Sequence, residues 1–118
     1  MADDTTVWFN PSCSKCRAAR DLLDENGVDA SYVQYLEDTP PREELVRVAG
    51  LLGCAADPRQ MMRAAEPVYR ELGLASVSDA DALFDAMVEH PILIERPIVI
   101  RGDRAVIGRP PERLLELL

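Results

Sequence analysis

The chain has 118 residues, with 13 basic against 21 acidic side chains and a formal net charge of −8. That balance excludes the broad basic surface that nucleic acids and anionic membranes require. The length suits one domain over residues 1–118, and 47% hydrophobic residues suffice for a packed core. Twelve of the 13 basic residues are arginine, a side chain suited to forked recognition of oxyanions. The acidic start, Met1-Ala2-Asp3-Asp4, lacks an apolar leader, and no run is long enough to span a membrane. A cytoplasmic protein is the expectation. Three cysteines make a poor disulfide framework and agree with a reducing compartment.

In chain order, Val7-Trp8-Phe9 reads as a first strand. Ser14 to Asn26 follows helical spacing, with Cys16, Ala19 and Leu23 on one face and Gly27 placed to end it. Ser31 to Leu36 alternates as a half-buried strand does. The first 36 residues therefore read β-α-β with parallel strands. Residues 40–90 read as a helical insert. Leu45, Val48, Ala49 and Leu52 mark its first helix, Asp57-Pro58 and Glu66-Pro67 start two shorter ones, and Ser78 with Asp81 resembles a capping box before a fourth. Pro97 to Ile100 and Ala105 to Ile107 read as a hairpin turning at Gly102. A last helix is expected to carry Leu114, Leu115 and Leu118. The order is β-α-β, helices, β-β-α.

The chemistry concentrates in Asn10-Pro11-Ser12-Cys13-Ser14-Lys15-Cys16-Arg17, where the first strand gives way to a helix. Functional atoms in β-α-β units gather at that end of the strands. A helix N-terminus and the cations Lys15, Arg17 and Arg20 would lower the Cys13 thiol pKa, and the N–H groups of Ser12 to Lys15 could cradle an anion. Cys16 reads either as a resolving thiol or as a small apolar residue on the inner helix face. Cys54 reads as packing, Met61-Met62 likewise, and His90 as a helix-end residue. A zinc site lacks ligands, with only Cys54 and His90 beyond the first pair.

This order of elements, with a cysteine at the first strand-helix turn, resembles the thioredoxin superfamily. More narrowly the chain resembles the ArsC/Spx family, best known for glutaredoxin-coupled arsenate reductases. The resemblance rests on Asn10-Pro11-Ser12-Cys13, Tyr35-Leu36-Glu37, Glu43-Glu44-Leu45-Val46, Leu72-Gly73-Leu74, the tract His90 to Val99 and Gly108-Arg109-Pro110. It implies an α/β thioredoxin-like fold with a mixed four-stranded sheet, flanking helices and the helical insert. It also implies that Cys13 is the nucleophile, that Arg63, Arg96 and Arg109 bind the oxyanion, and that Pro97 follows a cis peptide bond. No bound cofactor is implied; glutathione, glutaredoxin or a thioredoxin-like protein would supply electrons for reduction of arsenate to arsenite.

Two positions depart from the enterobacterial-type enzyme. Phe9 stands where that enzyme has a histidine, and Cys16 has no counterpart there. Spx-type regulators do carry Cys-x-x-Cys. The alternatives to an arsenate reductase are thus an Spx-like redox switch that binds RNA polymerase, and a family reductase acting on a different substrate. Arg17, Arg20, Arg101, Arg104 and Arg113 are read as surface residues.

Overall fold

The computed structural model describes residues 4–118. They divide into two compact units, one of residues 4–38 and 96–118, the other of residues 39–95.

The first unit is an α/β layer structure. Its strands are β1 (Thr5–Trp8), β2 (Ala30–Val33), β3 (Ile98–Arg101) and β4 (Arg104–Ile107), in the order β2-β1-β3-β4. β1 pairs parallel to β2 and antiparallel to β3, and β3 pairs antiparallel to β4. The expected mixed four-stranded sheet is what the chain forms. Helix α1 (Ser14–Glu25) makes the crossover between the parallel strands.

Register explains which side chains meet α1. Tyr32, Val7, Val99 and Val106 face one another across successive strands. Strand side chains alternate between faces, so this row lies on one side of the sheet. Val7, Val99 and Val106 join Phe9 with Cys16, Ala19 and Leu23 of α1 in a single core cluster, together with Leu114 and Leu117. The cluster excludes water from the helix face that carries Cys16. Asn26 and Gly27 close α1, and Gly27 takes a φ of 71° that favours glycine.

Two expectations are corrected here. The second strand ends at Val33, because Gln34 opens a turn in which its carbonyl accepts from the N–H groups of Glu37 and Asp38. The turn takes Tyr35 out of the alternation and leaves it fully buried. The last helix, Pro111–Leu117, is a 3-10 helix. With three residues per turn it buries Pro111, Leu114 and Leu117, while Leu115 and Leu118 stay exposed.

The second unit is helical: α2 (Arg42–Leu52), α3 (Pro67–Glu71), α4 (Ala80–Glu89) and three short 3-10 turns. Leu45, Val48 and Ala49 of α2 and Leu83, Phe84 and Met87 of α4 are buried. Asp57 caps the turn at Pro58–Met61, accepting from the Arg59 N–H. The cap of α4 is Asp79, which accepts from the Asp81 N–H, one residue later than the capping box anticipated. Met62 bridges Ile94, with Arg63 N–H donating to Leu93 O and Glu95 N–H to Met61 O. This rung ties the two ends of residues 61–95 together. Met61, Met62 and Cys54 are buried in this unit.

Candidate active site

The loop between β1 and α1 is shaped by Asn10. Its side-chain Oδ1 accepts from Ser12 N–H at 3.0 Å, and its carbonyl accepts from Cys13 N–H at 2.9 Å. Two of the four N–H groups expected to cradle an anion are therefore used within the loop. Cys13 becomes the N-cap of α1, with its carbonyl accepting from Arg17 N–H. No acidic residue occupies the first turn, so the positive end of the helix is uncompensated at the thiol.

Cys13 is half-buried, and burial opposes its ionisation. Against that, the N–H of Cys16, the Arg96 guanidinium, the Cys16 thiol and the N–H of Lys15 all bond the sulfur and favour the thiolate. They win, and the Cys13 pKa falls from 9.0 to about 7. The neighbouring Cys16 moves the other way. Burial raises its pKa, the Asn10 N–H opposes this at 3.5 Å, and the charge on Cys13 raises it further, to about 12. One thiol is an anion near neutrality while the other keeps its proton.

Arg96 comes from the segment that enters β3. Burial works against its charge, but Cys13 and the fully buried Tyr35 more than offset that and hold it cationic. Tyr35, buried and acting electrostatically on Arg96, is a site residue that sequence reasoning did not single out. Arg109 donates from Nη1 to the Arg96 carbonyl at 2.9 Å. The peptides Arg96–Pro97 and Arg109–Pro110 are both cis. Gly108 N–H donates to Pro97 O at 2.8 Å, joining the two segments beside each cis bond.

The first unit thus brings together Cys13, Cys16, Arg96 and Arg109. Arg63 belongs to the second unit. There its guanidinium donates to Glu66 at 3.2 Å and to Glu95 at 2.9 Å, so two carboxylates already balance its charge. The flanking cations are also engaged. Arg17 donates to the Pro11 carbonyl, and Arg20 lies over the Phe9 ring, 5.8 Å from its centroid. Arg101 is half-buried and donates to Thr5 Oγ1. Phe9 packs edge-to-face on Tyr32 with centroids 5.2 Å apart, so this position offers no proton acceptor.

A cavity of about 220 Å³ opens on the same loop, lined by Asn10, Pro11, Ser12, Gln34, Leu36 and Glu37 among others. Neither Cys13 nor Arg96 lines it. Among the described residues no group of three or more His, Cys, Asp or Glu could hold a metal ion. No described helix is long and apolar enough to cross a membrane.

The sheet order, the crossover helix and the thiol at the end of β1 define a thioredoxin-like protein. The chain belongs to the ArsC family, whose model matches residues 8–117. It is 44% identical over 113 residues to an arsenate reductase of Neisseria meningitidis serogroup A, covering 95% of this chain and 96% of that protein. It is 42% identical over 122 residues to the uncharacterized protein YfgD of Escherichia coli K12, covering 100% and 99%. The structure of an arsenate reductase from Vibrio cholerae superposes over all of both chains with a TM-score of 0.94 at 46% identity.

Proposed function

We propose that this protein is a thiol-dependent oxidoreductase that reduces arsenate to arsenite, with Cys13 as nucleophile. The observation that carries this reading is the Cys13 thiol itself, brought down to about 7 with the Arg96 guanidinium on its sulfur. A thiolate and an oxyanion of charge about −1.5 to −2 repel each other. A cation that touches the thiolate removes the obstacle and can bond an incoming oxygen. The similarity to proteins named arsenate reductase supports the choice of oxyanion.

In this reading the Cys13 sulfur attacks As(V), an S–As bond forms and an arsenate oxygen leaves as water. Arg96 bonds the remaining oxygens. Arg109 serves the same anion while keeping Arg96 in place through its carbonyl. The electrons come from thiols, supplied by glutathione with glutaredoxin or by a thioredoxin-like protein, and no prosthetic group takes part. The helix end and Arg96 do the work that a histidine at position 9 would otherwise share.

One observation favours a second reading. The contact between the Cys13 and Cys16 thiols suits an Spx-like switch acting on RNA polymerase as well as a catalyst. Arsenate-dependent NADPH oxidation separates the two. Turnover with a glutathione–glutaredoxin system or with a thioredoxin system is the expected result; its absence with both would sink the reductase reading. Polymerase capture that changes with thiol oxidation would then support the switch.

A further inference from the structure

The cavity beside the Asn10–Cys13 loop takes no part in the proposed attack on arsenic, and neither do Leu36 and Glu37, which line it. Both of its walls belong to the first unit. One is the loop after β1, fixed by the Asn10 side chain on Ser12 N–H and by Arg17 on the Pro11 carbonyl. The other is the turn after β2, fixed by the Gln34 carbonyl, which accepts from Glu37 N–H at 3.0 Å and from Asp38 N–H at 2.9 Å. Phe9 N–H donates to Val33 O at 2.8 Å and joins the two. The space between them is therefore set by hydrogen bonds before any ligand arrives.

The lining sets the chemistry of the occupant. It offers the carboxylate of Glu37, the amide of Gln34 and the hydroxyl of Ser12 beside the apolar surfaces of Pro11 and Leu36, and no cation. No salt bridge among the described residues engages Glu37. An ammonium group has three donors and finds an acceptor on each of these polar side chains, whereas an anion meets the Glu37 charge. A volume of about 220 Å³ is smaller than the roughly 300–1,000 Å³ of a whole small-molecule site, so the cavity takes one end of a ligand. Reach places the other end. Ser12 lines the cavity and Cys13 follows it, with Cα atoms about 3.8 Å apart across the peptide. The occupant thus carries its ammonium about one residue from the group that meets the Cys13 sulfur.

We propose that this cavity seats the ammonium end of a small thiol peptide of the glutathione type, with Glu37 as its anchor, and that the peptide's sulfur meets Cys13 from this side. The inference rests on the reading of Cys13 as the reductase nucleophile. It makes the free amino group of the peptide, and not its thiol alone, a determinant of rate. The disulfide form of the peptide reports the same approach. In that exchange the Cys13 thiolate attacks one sulfur of the disulfide. A bond forms between Cys13 and that sulfur, the peptide disulfide breaks, and the second peptide leaves as a thiolate.

The test compares glutathione disulfide with its N-acetylated form, which keeps both sulfurs and every carboxylate but lacks the ammonium groups. Loss of the Cys13 thiol is followed anaerobically by mass spectrometry. The ratio of the two rates is taken within each protein, so that any change in the thiol itself cancels. Wild type should favour the free amine, and Glu37→Gln should lower the ratio about threefold, the size of effect an exposed ion pair gives. Asp38→Asn removes the same charge one residue away, outside the cavity lining, and should keep the wild-type ratio. A ratio unmoved in Glu37→Gln would overturn the site. An equal fall in Asp38→Asn would overturn it too, by making the effect one of long-range charge. No arsenate enters this measurement. Arsenate turnover by a wild type whose ratio ignores Glu37 therefore strikes the site and leaves the reductase reading standing. Absence of turnover with both reductant systems strikes that reading, and the ratio still decides the site.

Discussion

The guanidinium of Arg96 hydrogen-bonds the sulfur of Cys13, joining the segment that enters β3 to the N-cap of α1. The pair sets the ionisation of the thiol, and its effect can be read without substrate. Iodoacetamide alkylation of Cys13 should show a half-maximal rate near pH 7. Losing a neighbouring cation raises an acid's pKa by about one unit or more. Arg96→Ala should therefore shift the midpoint upward by roughly one pH unit, with about a tenfold slower reaction at pH 6.5. Arg96→Lys should fall between. An unchanged midpoint in Arg96→Ala would mean that the helix end alone makes the thiolate.

Tyr35 acts through Arg96. Its buried hydroxyl acts electrostatically on the guanidinium that faces the sulfur, so its removal leaves Arg96 charged in a less favourable setting. Tyr35→Phe should raise the alkylation midpoint by less than Arg96→Ala does. A variant that lost stability with the midpoint unmoved would make Tyr35 a packing residue only.

The close approach of Gly108 to Pro97 gives a stability test. A Cβ at Gly108 would lie 3.0 Å from Pro97 Cγ and 3.6 Å from its carbonyl oxygen. Gly108→Ala must push the proline ring aside and should cost about 1–3 kcal/mol in urea unfolding. Gly50 is the control, since it lies within α2 with nothing within 4 Å of the same position. Gly50→Ala should stabilise by about 0.5–1 kcal/mol. Equal effects of the two changes would contradict the close contact.

How far the sequence carries the reader depends on which residue is asked about. Val7, Val99 and the Cys16-Ala19-Leu23 face follow directly from periods of two and 3.6, so the sheet and crossover helix were legible. Cys13 was legible because a cysteine at a strand-helix turn is chemically conspicuous. Tyr35 was not, because a turn begins where the strand pattern still reads on, and no period predicts its burial. Arg63 shows another limit. The resemblance names it an anion ligand, while Glu66 and Glu95 are its partners, and a pairing 32 residues apart leaves no mark in local sequence.

The last helix shows how a wrong period misplaces a core. Read at 3.6 residues per turn, Leu114, Leu115 and Leu118 form its inner face. At three per turn the face is Pro111, Leu114 and Leu117. Leu114→Ala and Leu117→Ala should each cost about 2–5 kcal/mol. Leu115→Ala, at 43% exposure, should stay within about 0.5 kcal/mol of wild type. Urea denaturation of the three variants separates the registers, and a large loss at Leu115 with little at Leu117 would restore the 3.6 period.

The two cysteines also give stability a pH dependence of opposite sign on either side of pH 9. Cys13 is depressed on folding, to about 7 from 9.0. Between these values the unfolded chain holds a proton that the native chain has lost, so stability rises with pH across that window. Its contribution is complete above 9 and is lost as pH falls through 7. Cys16 is raised, to about 12 from 9.0. Above pH 9 the unfolded chain loses a proton that the native chain keeps, so stability falls as pH climbs further. Urea midpoints measured from pH 6 to 10 should therefore show a rise between 7 and 9 that Cys13→Ser abolishes, and a decline above 9 that Cys16→Ser weakens. Cys54→Ser, whose thiol is raised by burial and by Asp57, should weaken the decline and leave the rise intact. A rise that survives in Cys13→Ser would place the titrating group elsewhere in the chain.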